Sequence, residues 1–278
     1  MEEVNWHRTM RTSGKWNING VLNYDREDSA GCPSLHSKMT ASEIYRQTEQ
    51  QLIEEKTLIS PNDMRRRASE FERVARDFRA ALRTGHPGII APITQVGAEP
   101  EKSGREALNL ARNYVRDGAA CLAVDTRSVY FNQLTAFMRP LRERIELPIL
   151  QCAYTIDNYQ VYQSLLLGMD AVMIPGSILG EEAEFLLVQC AHECGLQTVT
   201  LVHDASEAES SSHTGTDMIA AGNATSSGMD LTITQQVLRG ITGNIAGLSF
   251  GGVTNRAELD QVASYGAVGV LVSPEFYA

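Results

Sequence analysis

Eight short apolar runs recur at near-even spacing from Gly88 onward, and this rhythm limits the possible folds more than any other feature of the chain. They read GIIAPIT (88–94), ACLAVD (120–125), LPILQC (147–152), DAVMIP (170–175), QTVTLVH (197–203), DMIAA (217–221), IAGLSF (245–250) and VGVLV (268–272). Between them lie stretches with helical spacing, such as Glu106 to Asp117, Asp157 to Leu167, Glu181 to Cys194 and Arg256 to Ser264. Gly118, Gly168, Gly195, Gly215 and Gly266 each fall just before a run, where a helix end wants a positive φ. Strands buried on both faces read as near-continuous apolar segments, so eight such β-α units predict an α/β fold, a parallel (β/α)8 TIM barrel. An open doubly wound sheet is the alternative, but no GxGxxG follows the first run.

Upstream of the runs the texture differs. Residues 1–38 are polar, with little periodicity, and read as an N-terminal arm without stable order; residues 39–278 read as one barrel domain that includes N-terminal helices. The first helix begins near Thr40-Ala-Ser-Glu, which has the form of a capping box, and runs through Leu52 and Ile53. A second is expected from about Pro61 to Arg83, with Phe71, Val74, Phe78 and Leu82 at helical spacing.

Composition narrows the partners. With 278 residues and 43% hydrophobic content there is ample core, and the net charge of -10 argues against nucleic acid, which needs clustered Lys and Arg. No run of about 18 apolar residues suggests a membrane span, and the start has no apolar leader segment. Five Cys at scattered spacing fit a reducing compartment. The expectation is a cytoplasmic protein acting on a small molecule.

A parallel barrel carries its reactive groups at the C-terminal strand ends. That rule selects Thr94, Gln95, Asp125, Thr126, Arg127, Cys152, Tyr154, Ser177, His203, Asp204, Asn223, Phe250 and Ser273. Alternation then places Asp125, Cys152 and His203 toward the pore if Ala123, Leu150 and Leu201 line it.

Several segments also carry a family likeness. RDFRAAL (76–82), HPGIIAPI (86–93), VYFNQL (129–134), LPIL with YTIDNYQVYQS (147–164), GMDAVMI (168–174), LVHD (201–204) and GVTNRAEL (252–259), in one unbroken order, resemble indole-3-glycerol-phosphate synthase. The resemblance implies a (β/α)8 barrel with an N-terminal helical extension. The family's reaction, in tryptophan biosynthesis, joins an aromatic carbon to a carbonyl, with decarboxylation and dehydration.

The family's reactive groups do not follow its fold here. Where the first strand of the family ends Glu-Ile-Lys, this chain has Pro92-Ile93-Thr94. The third-strand Lys-Asp-Phe, whose Lys is the general acid, becomes Cys152-Ala153-Tyr154, and the fifth-strand Glu becomes Leu201. The Asn and Arg after strand six fall on Gly222 and Ala224, and the seventh-strand Glu falls on Phe250. In the phosphate site Gly252 remains, but the eighth strand ends Ser273-Pro274, and proline offers no N–H to an anion. A substrate without phosphate is expected.

What remains or is new suggests the chemistry. The resemblance places Tyr130 and Phe131 where the family packs its substrate's aromatic ring, and Tyr154 and Phe250 add aromatic surface. Asp125 stands where the family keeps a Leu. A carboxylate in a pocket walled by Phe131, Met173, Leu201 and Phe250 is expected to titrate high, as suits a general acid/base. This pattern resembles a divergent branch of the family, the cyclase of scytonemin biosynthesis. That branch takes the β-keto acid formed from indole-3-pyruvate and 4-hydroxyphenylpyruvate and closes a ring by indole attack on a ketone, with loss of CO2 and water. Their place at the strand ends makes Asp125, His203 and Thr94 the expected catalytic residues. Tyr130, Phe131, Cys152, Tyr154, Met173, Leu201, Asn223, Phe250 and Ser273 would bind substrate, with no metal or cofactor and with the upstream coupling enzyme as a candidate partner. The alternatives are a lyase on another aromatic acid and a degenerate barrel used for binding.

Each assignment has a plainer rival. Asp125 could pair with Arg127 or cap a helix, and His203 could simply hydrogen-bond backbone at the barrel top. Cys152 could be a small buried hydrophobe, Thr94 could only orient a hydroxyl, and alternation points Asn223 away from the pore. Cys190-x-His192-x-Cys194 invites a metal reading, but on a helix His192 faces away from both thiols.

Overall fold

The computed structural model describes residues 40–83, 87–93, 99–127 and 129–277. The arm assigned to residues 1–38 and the strand-end residues Thr94 and Gln95 lie outside them. Helix α1 (Ala41–Leu58) starts as its sequence demands. The Thr40 hydroxyl accepts the Glu43 N–H at 3.3 Å and the Glu43 carboxylate accepts the Thr40 N–H at 2.7 Å, a closed capping box. Ser60 and Pro61 open α2 (Pro61–Ser69) with a hydroxyl cap and a proline in its first turn.

The single helix expected from Pro61 to Arg83 does not form. The chain leaves helical geometry after α2 and restarts at α3 (Phe78–Leu82) under an Asp77 cap, whose Oδ1 accepts the Ala80 N–H at 2.8 Å. Phe78 and Leu82 are buried, but Phe71 and Val74 are 39% and 88% exposed. The reason is Asp170, whose side chain is wholly buried. The non-helical stretch brings the Arg73 guanidinium (2.9 Å) and the Arg76 N–H (3.1 Å) to its Oδ1, while Arg142 (2.8 Å) and the Ile149 N–H (2.9 Å) bind Oδ2. A buried carboxylate needs such company, and one continuous helix could not supply it.

All eight apolar runs form barrel strands. In chain order the elements continue β1 (Gly88–Ile93), α4 (Pro100–Arg116), β2 (Cys121–Val124), α5 (Phe131–Arg144), β3 (Ile149–Tyr154), α6 (Asn158–Leu166), β4 (Ala171–Pro175) and α7 (Glu181–Glu193). There follow β5 (Gln197–Val202), α8 (Ala205–Ser211), β6 (Met218–Gly222), a small hairpin of β7 (Ala224–Thr225) and β8 (Gly228–Met229), α9 (Thr232–Gly240), β9 (Ala246–Val253), α10 (Arg256–Ser264) and β10 (Gly269–Val272). The eight longer strands close in the parallel order β1-β10-β9-β6-β5-β4-β3-β2, a (β/α)8 barrel. The five glycines placed before strands all take positive φ, from 67° at Gly195 to 101° at Gly266.

Strand alternation sorts the core into two layers. Cys121, Ala123, Leu150, Met173, Val199, Leu201, Ala220, Leu248, Phe250 and Leu271 pack together inside the barrel. Their neighbours in sequence, such as Leu122, Val124, Ile149, Val172 and Ile174, pack outward in a cluster with Phe137, Leu141 and Val188 of the helices. The N-terminal extension lies on one side of this shell. Lys56 of α1 pairs with Asp157 at 2.7 Å, Tyr159 of α6 donates to the Ile59 carbonyl at 3.0 Å, and Leu52, Met64 and Tyr159 share a small core. Among the described residues no helix is long and apolar enough to cross a membrane.

Candidate active site at the barrel rim

The inward register of each strand determines which side chains reach the C-terminal rim. Ala123, Leu150 and Leu201 do line the interior, Cys152 of β3 joins them, and Asp125 and His203 directly follow the last residues of β2 and β5. Below the rim, Tyr154, Met173, Leu201 and Phe250 are fully buried, and Cys152 nearly so. These five expected binding residues therefore form one apolar and aromatic floor. Among the described residues, none of the fully buried polar side chains is a Lys or Arg.

Asp125 does not stand alone in an apolar pocket. Its backbone N–H donates to the Ile93 carbonyl at 2.9 Å, which fixes the chain where β2 ends. Its carboxylate meets Arg127 in a two-pronged pair: Nε lies 3.1 Å from Oδ1 and Nη2 2.9 Å from Oδ2, and the Arg127 N–H adds a 3.0 Å bond to Oδ1. The Asp side chain is 14% exposed and the Arg 19%. Such a charge-assisted fork holds the carboxylate in one orientation at the rim and balances its charge. The isolated, desolvated acid expected from sequence is thus corrected to half of an Asp–Arg unit. The Asp-x-Arg spacing was the available signal.

His203 is held from two sides. Its N–H donates to Glu207 Oε2 at 2.7 Å, and its Nδ1 lies 3.8 Å from the same carboxylate. Across the strand, a Cβ built on Gly222 would come within 2.7 Å of the His203 Nε2 and 3.0 Å of its Cδ2. Only glycine lets the imidazole lie against β6, a close approach that the sequence gives no means of foreseeing. In strand order β2 and β5 are three places apart, so Asp125 and His203 flank the mouth from nearly opposite sides.

Other expected residues are placed elsewhere. Tyr130 is exposed and caps α5, and its hydroxyl donates to Glu54 of α1 at 2.5 Å. Phe131 packs among Leu52, Met64 and Tyr159 in the helical shell, so it does not wall Asp125. The buried Glu55, missed from sequence, explains this: it accepts the Phe131 N–H at 2.9 Å and an N–H of the Gln163 amide, and so ties α1 to the start of α5. Beneath it Gln51, Thr126, Arg127 and Tyr154 help line a cavity of about 50 Å³, room for a water molecule or two rather than a substrate ring. Asn223 points outward, as alternation implies. It donates to Ser249 Oγ at 2.9 Å and to the Gly251 carbonyl at 3.0 Å and accepts from Thr234 at 2.8 Å, stitching β6 to β9 and α9.

At the eighth strand the backbone donors are committed. The Ser273 N–H donates to the Val253 carbonyl at 2.8 Å, and Pro274, which has no N–H, opens a short 3-10 turn (Pro274–Tyr277). After β9, the Thr254 N–H and hydroxyl both donate to the Glu258 carboxylate, at 2.7 and 2.8 Å. Elsewhere His192 faces Asp217 at 2.9 Å and not the nearby thiols, and among the described residues no group of three His, Cys, Asp or Glu could hold a metal.

Comparison with known proteins agrees with this architecture. The indole-3-glycerol phosphate synthase family model matches residues 41–277. An indole-3-glycerol phosphate synthase from Neisseria meningitidis is 29% identical over 237 residues, covering 82% of this chain and 90% of that protein. One from Clostridium acetobutylicum is 26% identical over 244 residues, covering 86% and 92%. Among solved structures, the N-acetylmannosamine-6-phosphate 2-epimerase of Clostridium perfringens superposes with a TM-score of 0.56 at 14% identity, covering 73% of this chain and 92% of that one. A tryptophan synthase alpha-subunit from Pyrococcus furiosus superposes at 0.53 and 14% identity, covering 68% and 87%. At such identities these two show the barrel alone.

Proposed function

The chain belongs to the indole-3-glycerol phosphate synthase family, and from that premise we propose that it is a decarboxylating cyclase for an aromatic β-keto acid without phosphate, of the kind made from indole-3-pyruvate and 4-hydroxyphenylpyruvate in scytonemin biosynthesis. The observation that carries the reading is the rim itself. It pairs Asp125–Arg127 with His203 above a floor of Tyr154, Met173, Leu201 and Phe250, and among the described residues no Lys or Arg is fully buried. The parent family's ring closure, decarboxylation and dehydration keep their logic, but the phosphate-binding donors do not. Pro274 supplies no N–H, the Ser273 N–H is spent on Val253, and the Glu258 carboxylate already holds the Thr254 donors.

The steps divide between the two sides of the mouth. The aromatic floor holds the indole and phenol rings so that indole C2 lies against the ketone carbon, which supplies orientation. As that bond forms, His203 hands a proton to the ketone oxygen, and Asp125, its charge balanced by Arg127, accepts the proton lost from indole C2. Release of CO2 is favoured in a poorly solvating pocket, because the carboxylate charge disappears in the step. The electron pair freed from the C–CO2 bond expels the neighbouring hydroxyl, which takes the proton held by Asp125 and leaves as water. The upstream coupling enzyme is the partner this reading implies, since it would deliver an unstable acid.

The test is to supply the coupled β-keto acid to the wild type and to Asp125→Asn, with folding checked by circular dichroism. Cyclisation should slow by about 10²-fold or more, the range of a lost general base. Equal rates would remove Asp125 from the chemistry.

A further inference from the structure

At the opposite, N-terminal face of the barrel a second group of reactive side chains converges that the rim chemistry does not use. Helix α7 is capped by Cys194, and Cys190 lies one turn earlier on the same helix face. Cys190 is buried, whereas Cys194 is half-exposed. Cys194 opens on a cleft of about 630 Å³ that is also lined by Arg65, Arg73, Tyr162 and Glu193.

Arg73 gives this cleft its character. Its side chain is only 10% exposed, and its Nη1 binds Asp170 at 2.9 Å. Its Nε and Nη2 are buried with no hydrogen-bond partner. Two desolvated donors on one guanidinium call for an acceptor, and a carboxylate matches the fork. The two thiols are unequal as well. The neighbouring Cys194 and burial together push the Cys190 thiol up, so it remains the S–H donor. The hydrogen bond from Cys190 draws the Cys194 thiol below its ordinary value against burial and Glu193, and Arg73 acts in the same direction.

We propose that Cys194 is a thiol-modification site for small disulfides that carry carboxylates, with Arg73 and Arg65 receiving the carboxylate. In the reaction the Cys194 thiolate attacks one sulfur of the disulfide. The new S–S bond forms as the old one breaks, and the other half leaves as a thiolate that takes a proton from water. Cys194 is oxidised into a mixed disulfide while the departing half is reduced, so the electrons balance. Cys190 is a positioning residue, holding the attacking sulfur by its S–H.

The experiment treats the full chain with oxidised glutathione or with the uncharged bis(2-hydroxyethyl) disulfide. Adducts are followed site by site by peptide mass mapping, and each rate is divided by that of free cysteine with the same reagent. Cys194 should react with oxidised glutathione at least about tenfold faster than Cys121, Cys152 or Cys190, which are buried. Its normalised rate should also favour the charged disulfide, and added salt should shrink that preference. Arg65→Gln, at the cleft edge, should reduce the preference without moving the unfolding midpoint, and Arg73→Lys, which keeps the charge but loses the fork, should reduce it further. Equal normalised rates for the two disulfides, or faster modification of Cys190 than of Cys194, would overturn the proposal.

Discussion

Replacing Gly222 by Ala should disturb His203 and little else, and the structure allows the effect to be worked out. An ideal Cβ at this position lies 2.7 Å from His203 Nε2, 3.0 Å from Cδ2 and 3.3 Å from Leu201 Cδ1. Comfortable heavy-atom contact begins near about 3.5 Å, so the ring must move by roughly 0.5 to 1 Å. The backbone cannot yield, because Val202 pairs with Ala221 in the barrel and the His203 N–H is bound to Glu207 at 2.7 Å. The imidazole must therefore tilt about its own torsions. Overpacking of this kind costs about 1 to 3 kcal/mol, and a ring at a strand end should fall in the lower half of that range. The assay is a urea denaturation cycle with wild type, Gly222→Ala, His203→Ala and the double variant. If the clash is with the imidazole, the double variant should recover most of the loss, a coupling of about 1 kcal/mol. In the cyclase assay Gly222→Ala alone should lose up to about 10²-fold, because a shift of this size misplaces a proton donor. Additive losses in the cycle would refute the contact as the cause.

Three further outcomes follow from other sites. Asp170→Ala should cost about 3 to 5 kcal/mol of unfolding free energy measured by urea denaturation, since it strands the guanidiniums of Arg73 and Arg142 that now flank a wholly buried carboxylate; a loss under about 1 kcal/mol would contradict the role given to that network. The hydrogen bond that His192 donates to Asp217 raises the His192 titration above its ordinary value against burial, so this pair stabilises the fold fully below pH 6.5 and loses its contribution as pH rises through the raised value. Urea midpoints of wild type and His192→Gln should therefore converge between about pH 5 and pH 8, and a gap that widens with pH would reverse the sign. Burial pushes Asp217 up, but His192 and the Thr198 N–H bring it below its ordinary 3.8, so its own contribution is present above that value and fades as pH falls through the lowered one.

The barrel was legible because its signals are local and repeated. Each apolar run became a strand, and each glycine before a run took the left-handed turn that ends a helix. Alternation alone oriented Cys152 inward and Asn223 outward, and it set His203 against Gly222 of β6. What failed was decided by partners remote in sequence. The stretch from Phe71 to Asp77 has helical spacing, yet Asp170, nearly a hundred residues later, draws Arg73 and Arg76 into non-helical chain. Tyr130 and Phe131 carry a family likeness, but Glu54 and Glu55 of α1 direct them into the helical shell. The Arg127 fork was the nearer miss, because an Asp-x-Arg pair at a strand end can close on itself without any distant help.

The central claim is that the rim serves an aromatic acid without phosphate, and turnover of that acid tests it most directly. Purified chain supplied with the β-keto acid made from indole-3-pyruvate and 4-hydroxyphenylpyruvate should release CO2 and yield the cyclised product well above the uncatalysed rate. No acceleration of CO2 release or ring closure by the folded chain would contradict the account.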